Sequence, residues 1–358
     1  MKISVARPLE LDATELDRWR ELQRADERLA NPFLSPEFAL AVDRGKPTAR
    51  VAVIEDGPGV AGYFAYEQGW LGIGRPLGAG ISDAQGVVHG PRLLWDARDL
   101  LAGCKLAVWE FDHLLGHQAS FAPYHVLSER SPVIDLTGGF GAYAASHRHR
   151  AKEVRRTQRM LEREVGEVRF DFDVRDPELL RLLMGWKSAQ YRRTGRFDRF
   201  ANRSVVRIVE ELMEGSSAGC AGVLSVLYAA ERPIAVRFGL RSHRTLFGWF
   251  PAFDVAFAKY RPGSLLLWKV AEAAELNGVR RIDLGKGHEE YKRDFKNADV
   301  ALAEGWVERR TATALLRRIQ RAPRRFVMDF VLSRPTLRAG ARRALRGVGY
   351  LRTIGSTR

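Results

Sequence analysis

Along this chain, apolar positions fall into two patterns. Short runs in which they alternate with polar residues predict strands, and stretches in which they recur at intervals of three and four predict helices. In the first 139 residues, strands are expected at KISVARP, ARVAVIED, VAGYFAYEQGW, KLAVWEF and SPVIDL. A helix capped by Asp12 or Thr14 should cover ELDRWRELQRADERL, with a second near Leu93–Ala102. A glycine-rich loop, LGIGRPLGAGISDAQG, lies between them. The later part repeats this order. A long helix is expected over Phe140–Val165, then EVRFDFDV as a strand, and two helices at PELLRLLMGWKSAQYRRTG and NRSVVRIVEELMEG. Three strands follow at AGVLSVLYAAE, RPIAVRFGLRS and RTLFGWFPAFD, joined by short turns at Glu231-Arg232-Pro233 and Ser242-His243-Arg244. Hairpins mixed with crossover helices imply an α/β (α+β) fold built on a mixed, mostly antiparallel sheet flanked by helices.

Composition narrows the picture. At 46% apolar, the 358-residue chain can bury the cores of two domains. Its two cysteines, Cys104 and Cys220, have neither disulfide-framework nor metal-ligand spacing, which fits a reducing cytoplasm and no metal. The N-terminus has no apolar core of a signal peptide, and the longest weakly polar run, residues 218–230, is too short to span a bilayer. The net charge of +15 is unevenly placed. From Arg309 to Arg358 there are fourteen Arg, no Lys and a single acid, Asp329, so that segment carries +13 and residues 1–308 only +2. A DNA-binding core would keep its basic patch on the folded body, so DNA is not the expected partner. The tail mixes Arg with Leu, Ile, Phe, Val and Met. This reads as a segment for peripheral contact with an anionic membrane surface, with an acidic partner or RNA as alternatives.

A second basic stripe lies on the helix after residue 140, where Arg148, Lys152, Arg155, Arg156, Arg159 and Arg163 share a face. It serves either as a solvated surface or as a wall attracting an anionic substrate.

Candidate chemistry concentrates in KYRPGSLLLWKVAEAAELNGVRRIDLGKGHEEYK, Lys259–Lys292. Arg261-Pro262-Gly263-Ser264 forms a turn before a helix expected to start at Ser264. Its free amides and the helix dipole suit a pyrophosphate, while the plain alternative is a well-capped helix. Farther on, Gly285 and Gly287 allow a tight turn, followed by Glu289, Glu290, Tyr291 and Lys292. A carboxylate can take a proton, a phenol can give one, and a lysine can hold developing negative charge; the plain alternative is a charged loop.

Elsewhere, Arg237 sits on a strand beside Ala235 and Gly239, which points to a cleft rather than open water. Lys187 and Tyr191, four residues apart on one helix with Trp186, line either an acceptor site or the core. Neither a Gly-x-Ser-x-Gly elbow nor a Walker lysine motif occurs, which leaves hydrolase and NTPase readings without support.

The order of these elements resembles the CelD/BcsL-like acetyltransferases of the GNAT superfamily, relatives of the FemAB peptidoglycan-bridge enzymes. The resemblance rests on Asp254, Pro262, Gly263, Asp283, Gly285, Gly287, Glu289, Tyr291 and Lys292, on Ser35-Pro36-Glu37-Phe38, and on Ser82, Asp83, Gln85 and Gly86. It covers about residues 30–308. It implies two tandem GNAT-like domains, 1–139 and 140–308, with 309–358 as the basic tail. It also implies transfer of an acyl group from acetyl-CoA or another acyl-CoA to an amine or hydroxyl of a sugar or sugar-linked precursor in polysaccharide or envelope synthesis. Carried over by position, Arg261, Gly263, Ser264 and Leu265 meet the cofactor. Asp254, Glu289, Tyr291 and Lys292 face the reacting atoms, and Arg237, Lys187, Tyr191 and Asp83 hold the acceptor. Two positions depart from the pattern. Leu265 stands where a second small residue is usual, which narrows the cofactor loop and keeps open a FemAB-like aminoacyl-tRNA donor, or a non-catalytic binding protein. His288 stands where Asp is more common.

Overall fold

The computed structural model describes residues 1–57, 59–287, 289–318 and 320. In chain order, the first part contains β1 (Lys2–Ala6), α1 (Ala13–Ala25), α2 (Pro36–Gly45), β2 (Ala49–Asp56), β3 (Gly59–Gln68), β4 (Ile73–Pro76), β5 (Val87–His89), α3 (Ala97–Gly103), β6 (Val108–Leu115) and β7 (His125–Asp135). The second contains α4 (Gly139–Ser146), α5 (Arg148–Glu164), β8 (Val168–Asp171), α6 (Pro177–Arg193), α7 (Arg203–Glu214), β9 (Ala221–Ala229), β10 (Arg232–Ser242), β11 (Thr245–Phe253), α8 (Pro262–Ala273), β12 (Arg281–Asp283), α9 (Glu290–Phe295) and β13 (Ala298–Glu308).

Local signals explain most of the starts. Asp12 caps α1 through a reciprocal box, accepting from Glu15 N at 2.8 Å while Glu15 accepts from Asp12 N at 3.0 Å. Ser35 accepts from Phe38 N at 3.1 Å and Pro36 takes the first turn, so LSPEF opens α2, a helix the apolar spacing alone did not single out. The helix expected over Phe140–Val165 breaks at His147 into α4 and α5.

The strands join one mixed sheet in the order β1-β2-β3-β4-β6-β13-β7-β12-β11-β10-β9-β8, with β5 on β3. As expected, β9, β10 and β11 form consecutive antiparallel hairpins, with Ala230, Glu231 and His243 at positive φ in their turns. At the centre, two strands cross over: β13, the last, pairs with β6 and β7, and β7 pairs in turn with β12. This exchange ties the two halves of the chain through main-chain hydrogen bonds.

One core also runs through both halves. Phe33 and Phe38 of the first part stack edge-on against Trp249, and Phe33 against Phe247. They share a buried cluster with Leu183 of α6 and Ile208 of α7. A second cluster packs α4, α5 and α8 on the other face, through Val154, Leu265, Val270 and Ile282. Beyond β13, Ala314 packs on Ala107 and Val108. The rest of the basic tail lies outside the described residues.

Candidate active site

The candidate site lies at the opening where two strands part. Parallel β11 and β12 pair only from Thr245–Phe247 to Arg281–Asp283. Beyond that point β11 runs on to Phe253, while the other chain turns through Gly285 into α9. The turn requires Gly285, with φ +74°, because an L side chain is strained there. At Gly287 an added Cβ would stand 2.1 Å from Glu289 Oε2 and 2.9 Å from Lys292 Nζ. Lys292, only 7% exposed, clasps this turn. Its Nζ donates to Gly285 O at 3.0 Å and Lys286 O at 3.2 Å, and pairs with Glu289 at 3.3 Å. Those three partners use its three donors, so Lys292 holds the turn in shape.

Asp283 supports the turn from below. It accepts from Ser131 Oγ and, at 2.9 Å, from Gly285 N. Burial, helped by the nearby charge of Asp83, pushes its carboxyl up to about 6, against the pull of these donors and Lys292.

Around the opening stand residues from three elements. From α6, Lys187 donates to Pro251 O at 3.0 Å and lies 5.4 Å from the Tyr191 ring centre. Burial, then Arg196 and Arg199, bring the Lys187 ammonium down to about 8, and burial raises the Tyr191 phenol. From α9, Tyr291 has its phenol raised by burial, with Arg237 opposing, so it stays protonated near neutrality. Burial disfavours the charge of Glu289, but Lys292 outweighs it and holds the carboxyl below its ordinary range. From β10, Arg237 is 4% exposed. Its guanidinium lies across Gly248, where an added Cβ would come within 1.6 Å of Nη2.

The first part of the chain supplies Asp83. Trp249 Nε1 donates to Ile81 O at 2.8 Å, anchoring this loop to β11. Asp83 Oδ1 lies 3.4 Å from His113 Nε2, and Asp83 Oδ2 faces Gly285. Tyr291 thus lies near Arg237 and Glu289, Lys187 near Glu289 and Lys292, and Tyr191 and Asp283 near Asp83. Sequence reasoning missed His113, Ser131 and Gly248. The first two are far from the cleft motifs in sequence and gave no signal. Gly248, a lone glycine in a strand pattern, is the signature of close approach.

Asp254 is not part of this group. It caps the turn after β11, accepting from Ala256 N at 2.9 Å, and pairs with Arg232 at 2.9 Å. Both of its carboxylate oxygens accept there, Oδ1 from the Ala256 amide and Oδ2 from Arg232.

Helix α8 begins two residues earlier than expected, at Pro262. Its N-cap is Arg261, in the left-handed region at φ 46° and without a side-chain cap bond, and not Ser264. Arg261 O accepts from Ser264 N at 3.0 Å and Leu265 N at 3.2 Å. Among the described residues, only the Gly263 N–H of this turn lacks a backbone partner. Leu265 is 1% exposed and fills the core, so the departure from the small-residue pattern serves packing. A shallow groove flanks the turn, lined by Arg150, Glu153, Thr157, Arg261 and Ser264. In it, the Glu153 carboxylate bridges Arg150 and Arg261. Arg148, Lys152, Arg155, Arg156, Arg159 and Arg163 are exposed along the adjoining α5. His288 lies outside the described residues. Among those described, no group of three or more His, Cys, Asp or Glu could hold a metal ion.

Comparison with solved structures finds the same architecture. L-PGS from Bacillus licheniformis superposes with a TM-score of 0.52 at 10% identity, covering 87% of this chain and 96% of its own. FemX gives 0.53 at 10% identity, over 76% and 90% of the two chains. A conserved protein of unknown function from Bacteroides thetaiotaomicron gives 0.55 at 11%, over 85% and 98%. At these identities the fold is what is shared: one long mixed sheet flanked by helices. No curated protein sequence matches the chain. The family model described as acetyltransferase (GNAT) domain matches residues 148–293, a span that contains β11, β12 and the turn into α9. Over those residues, the chain is similar to the acetyltransferase (GNAT) domain family.

Proposed function

We propose that the protein transfers an acyl group from acyl-CoA to an amine on a sugar or sugar-linked acceptor. The observation that carries this reading is the parting of β11 from β12, with Glu289 and Tyr291 beside the opening and the single bare amide of Gly263 at the start of α8. The acyl-CoA diphosphate meets Gly263 N–H and the helix dipole. The acceptor nitrogen attacks the thioester carbonyl carbon, and its proton passes to the ionised Glu289, directly or through water. As the C–S bond breaks, Tyr291 gives its proton to the departing thiolate. Arg237, Lys187, Tyr191 and Asp83 hold the acceptor.

One observation favours a second reading. Glu153 already occupies the groove beside Gly263, between Arg150 and Arg261, where a diphosphate would lie. A FemAB-like aminoacyl-tRNA donor would not need that position and would meet the exposed basic residues of α5. Thermal unfolding of the full chain with acetyl-CoA or with charged tRNA separates the two. A saturable rise in Tm with acetyl-CoA, and thiol release when amino sugars are added, support acyl-CoA. A rise with aminoacyl-tRNA alone overturns it in favour of the second. The tail completes the proposal: the full chain should co-sediment with anionic phosphatidylglycerol vesicles and a chain ending at Gln320 should not.

A further inference from the structure

Among the described residues, Arg237 is buried without a counter-charge: its Nε has no hydrogen-bond partner, and its guanidinium makes no ion pair. The acids of the candidate site are spoken for: Asp83 faces His113, Asp283 holds Ser131 and the Gly285 amide, and Glu289 pairs with Lys292. Across the sheet, Ser225 is the register partner of Arg237 on β9, but it donates to Phe172 O at 2.6 Å. The group nearest in charge is the Tyr291 phenol, which burial keeps protonated. Arginine cannot shed its proton to escape this situation. A buried, unpaired cation is among the costliest things a fold can hold, so its retention calls for a partner that arrives later.

The position gives that partner a place. Gly248 is the first residue of β11 beyond its last pair with β12, and the guanidinium lies over it. The chain therefore leaves room for the arginine at the point where the strands open. We infer that Arg237 is the binding site for a carboxylate or phosphate group on the acceptor, a planar fork held ready for a bidentate anion. The acceptor is then an anionic molecule, which deepens the acyltransferase proposal above and rests on it for the word acceptor.

The test uses the full chain without acetyl-CoA, with inorganic phosphate and malonate as separate probes at matched ionic strength. Expected is a saturable rise in Tm with at least one probe in the wild type, weakened at least tenfold in apparent Kd in Arg237→Met and partly restored in Arg237→Lys. The response to phosphate against malonate tells which anion the site takes. Without any anion, Arg237→Met should unfold at or above the wild-type temperature, since it removes an unpaired charge. An equal anion response in Arg237→Met, no response in the wild type, or a large loss of stability in Arg237→Met would each overturn the inference. Acetyl-CoA binding measured on the same proteins keeps the two proposals apart. An Arg237-dependent anion shift without acetyl-CoA binding defeats the acyl-CoA reading alone, and the converse defeats the anion site alone.

Discussion

Glu289, Tyr291 and Lys292 are consecutive or nearly so in sequence, yet the structure gives them different work. Lys292 is consumed by the turn, Glu289 is held ionised by Lys292, and Tyr291 is held neutral by burial. Glu289→Gln should lower kcat by about 10²- to 10⁴-fold with little change in KM, the usual range for a lost proton acceptor. Steady-state kinetics with an accepted amine checks it. Asp283 makes a prediction in pH. Its carboxyl titrates at about 6 when folded and from an ordinary value of 3.8 when unfolded. As pH rises from 3.8 to 6, the unfolded chain releases this proton while the folded one keeps it. Asp283 therefore removes stability over that window, by about 3 kcal/mol at most, and the loss is complete above pH 6. Urea unfolding at pH 4 and pH 7.5 should show Asp283→Asn gaining on the wild type at the higher pH; an unchanged difference would refute this.

Among the elements, the parting of β11 from β12 decides what the site can be. Residue types showed that Arg237 and a Gly-x-Gly turn were unusual, but nothing in the sequence said that β11 leaves its partner after Phe247. Gly248 marks the spot. Gly248→Ala would drive a methyl into the Arg237 guanidinium, and overpacking of this kind costs about 1–3 kcal/mol. The double variant Gly248→Ala with Arg237→Met should recover most of that loss, read as a coupling energy from denaturant midpoints. Additive losses would show that the two residues do not compete for space. The start of α8 was legible in part. Pro262 and Gly263 announced a helix entry, but the left-handed Arg261 and its bonds to Ser264 and Leu265 depend on how the preceding turn packs.

Taken as a whole, the molecule is held together by the crossed strands β7 and β13 and by an aromatic cluster that belongs to neither half alone. Trp249 is its pivot, packed on Phe33, Phe38, Phe238 and Phe250 and hydrogen-bonded to Ile81. Trp249→Ala should cost about 3–5 kcal/mol and displace the loop that carries Asp83. Urea denaturation and acetyl-CoA turnover should both register it, and a variant as stable as the wild type would contradict the shared core. Among the described residues, no helix is long and apolar enough to cross a membrane. By itself, the sequence determined the mixed α/β class, the hairpins of β9 to β11, the capped start of α1 and the cluster of chemistry at the end of the second half. These follow from local periodicity, turn residues and capping, which need no distant partner. Only the tertiary structure decided that Lys292 is a clasp, that Asp254 is a cap, that Asp83 reaches the cleft and that Arg237 stands alone. Each of those depends on which charges are neighbours across gaps of up to about two hundred residues, and burial sets their energies only once the sheet has closed.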